Sequence, residues 1–215
     1  MTYDTRFEFM RPHVEGKRVI EVGPAELVGT INREKFERWI HGRISQVASK
    51  LIGIEKSPEQ VAALSELGYD IREGDAEEFE VKEDVDVVLA GEVIEHLSNP
   101  GRFLECAWRH LPPGGKLVLT TPNRFCIDKI TRVLRSGVIP EYVKPIAKHV
   151  LFFDSDALTS LLERYGYVDI QIDYCKWVGA PGGRGQRALI ALTNRFRPVM
   201  LPVLLATARK PEDAS

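Results

Sequence analysis

The chain has 215 residues, 44% of them hydrophobic and 28% charged, and a formal net charge of −2 at neutral pH. That length buries a sizeable core without staples and fits a single α/β domain over 1–215. The near-neutral balance leaves no electrostatic footprint for nucleic acid or a membrane surface, so neither is an expected partner.

Three cysteines without metal-type spacing point to a reduced, cytoplasmic protein. The first residues carry no apolar leader. Ala188–Ala208 is interrupted by Asn194, Arg195, Arg197 and two prolines. Neither a secretory signal nor a membrane span is expected.

Residues 1–17 are polar with scattered aromatics and predict a short outer helix. Arg18–Val22 is an apolar strand opening into Gly23-Pro-Ala-Glu-Leu-Val-Gly29. A strand that ends near an acid, here Glu21, and enters a glycine-containing turn suits a nucleotide-type cofactor. Small residues admit the ligand to the backbone, and the acid accepts its hydrogen bonds. Asn32–Lys50 carries Phe36, Trp39, Ile40, Ile44 and Val47 at helical spacing. Leu51–Glu55 is a second strand, closed by an acid where a doubly wound fold places the acceptor of ribose hydroxyls. Pro58–Leu67 is a helix with Ser57 as N-cap and proline in its first turn. Tyr69–Arg72 is a third strand, and Gly74-Asp75-Ala76 is the loop after it.

The fourth strand, within Asp84–Leu97, stops at Ala90-Gly91, and Glu92, Glu95 and His96 follow at once. Continued as a helix, these three share one face. Ligands of open α/β sheets bind outside the carboxyl ends of strands, so this is the most chemically suggestive cluster in the chain. Pro100–His110 is a helix, and Lys116–Thr120 is a fifth strand ending in Thr121-Pro-Asn123. Arg124–Lys148 breaks the rhythm and reads as a helical cap over the ligand edge, with His149 just beyond it. Asp154–Tyr165 is a helix, Tyr167–Tyr174 a strand, Gly179–Arg187 a glycine-rich loop and Val203–Arg209 a last strand. The alternation predicts a doubly wound, mainly parallel sheet covered on both faces.

Two readings of Glu92, Glu95 and His96 stay open. They complement a helix N-terminus, with the imidazole packed alongside. Or they form a divalent-metal site completed by His149, since carboxylates with imidazole suit magnesium, manganese or zinc. His149 is also a candidate general base.

Taken in order, Glu21-x-Gly23, strand-end Glu55, Gly74-Asp75-Ala76, Gly91–Leu97, Leu111–Asn123 and His149 before Phe-Phe-Asp resemble one family. It is the class I S-adenosylmethionine-dependent methyltransferases, in particular the branch of ubiquinone-biosynthesis O-methyltransferases and glycan-cluster methyltransferases. The resemblance implies a Rossmann-like sheet of seven strands with the last antiparallel. It implies that Glu21, Gly23 and Ala25 line the methionine moiety of S-adenosylmethionine. Glu55 would hold the ribose with Lys56 beside it, Asp75 and Ala76 would flank the adenine, and Glu92 would sit by the methyl donor. The family's glycine-rich turn is replaced here by Gly23-Pro-Ala-Glu-Leu27.

The Glu-x-x-Glu-His set with a downstream histidine also resembles the magnesium-binding residues of small-RNA 2′-O-methyltransferases. Glu92, Glu95, His96 and His149 are therefore the metal candidates, for magnesium or zinc. The expected reaction is methyl transfer to an oxygen of a small molecule or glycan precursor, with Glu92, His96 and His149 as catalytic candidates. The alternatives are a non-catalytic cofactor-binding or scaffold module, an RNA 2′-O-methyltransferase and a dinucleotide-dependent oxidoreductase. The last is disfavoured by the absence of Gly-x-Gly-x-x-Gly.

Overall fold

The computed structural model describes residues 1–25, 39–137, 149–176, 192 and 198–213. Its strands are β1 (Thr2–Tyr3), β2 (Arg18–Val22), β3 (Lys50–Glu55), β4 (Ile71–Glu73), β5 (Val87–Gly91), β6 (Lys116–Pro122), β7 (Val168–Cys175) and β8 (Val203–Arg209). They form one sheet in the order β1-β7-β8-β6-β5-β2-β3-β4. From β6 through β5, β2 and β3 to β4 the pairing is parallel, while β8 runs antiparallel between β6 and β7. The seven expected strands are present, and β1 adds an eighth at the edge, parallel to β7. Two residues are too few for any periodicity to announce a strand, so residues 1–17 read from pattern alone only as a helix.

The helices are α1 (Arg6–Val14), α2 (Ile40–Ile44), α3 (Pro58–Glu66), α4 (Pro100–His110), α5 (Ile127–Ser136) and α6 (Ser155–Arg164). Side-chain caps start four of them. Thr5 accepts from Glu8 N–H, Ser57 from Gln60 N–H, Asn99 from Arg102 N–H and Asp154 from Ala157 N–H. Proline at the first helical position of α3 and α4 uses a site whose N–H would be unpaired anyway.

Alternate residues of each central strand feed opposite layers. Ile20, Ile52, Val88 and Leu117 pack with α4 and α6 through Phe103, Leu104, Leu158 and Leu162. Val19, Leu89 and Val118 pack with α1 and α2 through Phe7, Phe9, Met10 and Ile44. At the amino edge of the sheet, Asp86 accepts the backbone N–H of Arg18 at 2.8 Å and its guanidinium at 2.7 Å, tying β2 to the segment entering β5.

Two expected elements are corrected. The helix over Asn32–Lys50 is helical only at Ile40–Ile44 among the described residues, and 31–38 lie outside them. After Ile44 the chain turns, because Ser49 and Lys50 donate to Lys17 O and bring β3 beside β2. Of the cap stretch, α5 is described and is ended by Gly137 at φ 67°, whereas 138–148 lie outside the described residues. The glycine-rich loop at 179–187 also lies outside them.

Candidate functional site

The candidate site is built along the carboxyl edge of the sheet. Near the end of β2, Glu21 is buried, and its Oε2 lies 2.8 Å from Nδ1 of His41. Gly23 follows with φ 72°, a conformation that disfavours any side chain. A Cβ there would sit 2.7 Å from Cγ2 of Val93. The indole N–H of Trp39 donates to Pro24 O at 2.6 Å, and Ala25 is buried against Trp39, Leu64 and Ile71. The expected turn is described as far as Ala25.

Glu55 closes β3 half-buried. Its Oε1 accepts the N–H of Ser57 at 3.0 Å, which holds the carboxylate at the strand end. Lys56 reaches across to Asp75, Nζ to Oδ2 2.7 Å, while Glu77 N–H donates to Oδ1. The Lys56 hydrogen bond holds the Asp75 carboxyl below its ordinary range, and the same contact raises the Lys56 ammonium. Ala76, next in the loop, packs partly buried on the main core. Three strand ends thus present Glu21, Glu55 and Asp75 on one edge.

The Glu92 cluster departs from the expected helix. Glu92 adopts φ 57°, left-handed backbone unusual for a residue with a Cβ. Its N–H donates to Thr120 O, and Arg6 from α1 approaches its carboxylate at 4.0 Å. Only one 3₁₀ turn follows, Ile94–His96, so Glu92 does not share a helical face with Glu95 and His96. Glu95 is 1% exposed, and its Oε2 accepts the hydroxyl of Thr121 at 3.0 Å. Burial, with the nearby Glu92 charge adding to it, pushes the Glu95 carboxyl up to about 8.

The backbone of Glu95 does separate work. Its carbonyl accepts the N–H groups of Val150 and Leu151, which brings His149 in from the far side of the cap stretch. His149 Nε2 then lies 3.9 Å from Glu95 Oε1, and the rings of His96 and His149 meet edge to face at 4.7 Å. Glu95, His96 and His149 offer ligand atoms that all lie within 4.8 Å of one another. Three of the four expected metal candidates converge. Glu92 does not join them, because its left-handed turn carries it off the 3₁₀ segment.

An open groove of about 800 Å³ lies at the opposite edge, between Arg18, Asp84, Arg109, His110 and Pro112. None of the expected site residues lines it.

Comparison with known proteins bears on this edge. A family model described as a methyltransferase domain matches residues 3–172. The chain belongs to the class I S-adenosylmethionine-dependent methyltransferases. A ubiquinone biosynthesis O-methyltransferase of Bradyrhizobium diazoefficiens is 36% identical to this methyltransferase over 87 residues, 38% of this chain and 34% of that protein. One from Rhodopseudomonas palustris is 36% identical over 117 residues, 52% of this chain and 42% of that protein. The likeness therefore spans less than half the length of these curated relatives.

Two solved structures share the fold at 16% identity. A SAM-dependent methyltransferase from Thermotoga maritima superposes with a TM-score of 0.65, covering 95% of this chain and 86% of that one. One from Archaeoglobus fulgidus gives 0.64, covering 95% and 91%. The doubly wound sheet is the Rossmann-like methyltransferase fold. No helix among the described residues is long and apolar enough to cross a membrane.

Sequence reasoning passed over three residues of this edge. His41 lies inside an apolar helical pattern, and no spacing assigns it a role. Arg6 stands far away in the chain, and no local spacing marks it. Thr121 reads from sequence only as the end of a strand, although a hydroxyl there beside a buried acid is a recognisable partner.

Proposed function

We propose that this methyltransferase transfers the methyl group of S-adenosylmethionine to a hydroxyl oxygen of a small molecule or glycan precursor. The observation that carries the reading is the meeting of Glu95, His96 and His149 beside Glu92, on the edge where Gly23, Glu55 and Asp75 also end. The residues fit the cofactor. Gly23 meets the tight left-handed turn at the end of β2, where a Cβ would collide with Val93, Glu55 is placed to accept ribose hydroxyls, and Asp75 with Ala76 suits the adenine. Glu21 and Ala25 take the methionine end. Lys56 serves this set by holding the Asp75 carboxylate in position through its hydrogen bond. When bound, S-adenosylmethionine supplies a methyl group on a cationic sulfur.

The acceptor hydroxyl needs orientation and a place for its proton, and His149 is the base proposed. One carboxylate and two imidazoles also suit zinc or manganese better than magnesium, which prefers oxygen ligands. In the other reading His149 is a ligand and not the base: a divalent cation held by Glu95, His96 and His149 would supply Lewis acidity to the same hydroxyl. Glu92, near enough for its charge to act on Glu95, orients the acceptor. Oxygen is favoured as the acceptor atom by the relatives named O-methyltransferases. A cytoplasmic setting fits Cys106, Cys126 and Cys175, which are buried and free.

Calorimetric titration with S-adenosylhomocysteine tests the cofactor half, with NADH as control. Saturable micromolar binding of the former alone is expected, and no binding overturns the reading. Consumption of S-adenosylmethionine against a panel of phenols and sugars then supplies an acceptor. With it, His149→Ala should leave cofactor affinity intact and lower turnover by about 10²-fold or more. Unchanged turnover removes His149 from the mechanism. A chelator that leaves turnover unaffected removes the cation.

A further inference from the structure

The pair formed by Glu21 and His41 is set apart from the acceptor-side cluster, and nothing in the mechanism above uses His41. Glu21 is 4% exposed and His41 1%. A carboxylate this deeply buried is held against a steep desolvation penalty unless a partner meets it. His41 is that partner, its Nδ1 at 2.8 Å from Oε2. An incoming donor therefore meets the other oxygen, Oε1.

The imidazole itself is held in place. Trp39 lies against it at 5.2 Å between ring centres, and Tyr69 meets it edge-on at 5.3 Å. Trp39 and Tyr69 in turn meet edge-on at 5.0 Å. Behind them, β3 carries glycine at position 53, where a Cβ would stand 3.2 Å from His41 Cε1. Trp39 also grips Pro24 O through its indole N–H. One aromatic group thus fixes both the histidine behind Glu21 and the turn in front of it. In this chain that turn carries proline and alanine directly after Gly23. A proline with fixed φ, clamped by an indole, leaves Glu21 a single setting relative to the turn.

We propose that His41 is a positioning residue: its Nδ1–H holds Glu21 so that Oε1 receives the ammonium group at the methionine end of the cofactor. This rests on the reading that Glu21 faces that end. The chemistry is a charge-assisted hydrogen bond whose geometry is set in advance by a neighbour that never touches the ligand.

Two ligands separate positioning from mere support of the fold. S-adenosylhomocysteine carries the ammonium group, and 5′-methylthioadenosine keeps the nucleoside and sulfur without it. For His41→Leu, affinity for S-adenosylhomocysteine should fall about tenfold or more while that for methylthioadenosine stays within about twofold. His41→Asn, whose amide nitrogen falls near the place of Nδ1, should restore most of the loss. Where His41→Leu does not fold, His41→Gln takes its place, because its longer arm carries the amide past Glu21 and should show the same selective loss. Equal weakening of both ligands, or no change in either, overturns the proposal. Glu21→Gln is the control for the underlying reading. Selective loss there without selective loss at His41 sinks the positioning role alone, and no selective loss at Glu21 sinks both.

Discussion

Glu92 shows how a single residue can be set against its own backbone preference. At φ 57° its Cβ crowds the following carbonyl, at a cost of about 1 kcal/mol or more. Glycine escapes that cost and alanine does not. Glu92→Gly should therefore be more stable than Glu92→Ala by about 1 kcal/mol, measured by denaturant unfolding, while both lose activity. At Glu55 the effect is on the ligand. Removing a carboxylate that accepts ribose hydroxyls should weaken S-adenosylhomocysteine binding by about 10–100-fold in calorimetry, with the melting temperature of the free protein little changed. Strand-end acids such as Glu55 and Asp75 were legible in the sequence, because a polar residue closing an apolar run has only the sheet edge to occupy. The partner of Glu21 was not legible, since an imidazole inside an apolar helical pattern carries no mark that separates packing from pairing.

Among the elements, those with strong end signals were read well. Ser57 caps its helix as the sequence announced, and α4 keeps the expected span Pro100–His110. Elements whose ends are decided by distant partners were misread. Asn32–Lys50 has helical spacing throughout, but its last residues are claimed by Lys17 O and by pairing with β2. Glu92–Leu97 has the spacing of a helical face, but the left-handed turn at Glu92 and the return of 150–151 onto Glu95 O leave one 3₁₀ turn. The inner face of α4 carries much of the main core. Phe103 is fully buried there, and Phe103→Ala should cost about 3–5 kcal/mol in chemical denaturation, with the slope of the transition unchanged. A loss under about 1 kcal/mol would mean that the layer behind the site is less tightly packed than described.

For the molecule as a whole, the alternation of strands and helices was enough to predict a doubly wound sheet, whereas the order of strands across it came only with the structure. Its amino edge is fastened by Arg18 and Asp86. Hydrogen bonds from Arg18, followed by their charge attraction, hold the Asp86 carboxyl below its ordinary range. A carboxyl depressed in the fold adds stability above its unfolded value, and that stability is lost as pH falls through the folded value. Asp86→Asn should melt below the parent chain at pH 7, and the gap should close as pH drops below about 4. A gap that persists in acid would mean that the contact works by shape and not by charge.

The placement of β8 has a consequence for how the protein is made. It lies between β6 and β7, yet it is synthesised after both. Until it leaves the ribosome, β6 has a bare edge, and β7 and β1 have no sheet to join. The parallel half can form first, but it must wait with that edge open to pairing with other chains. A nascent chain stalled before residue 203 is thus the form most exposed to aggregation, and the one a chaperone would have most reason to hold.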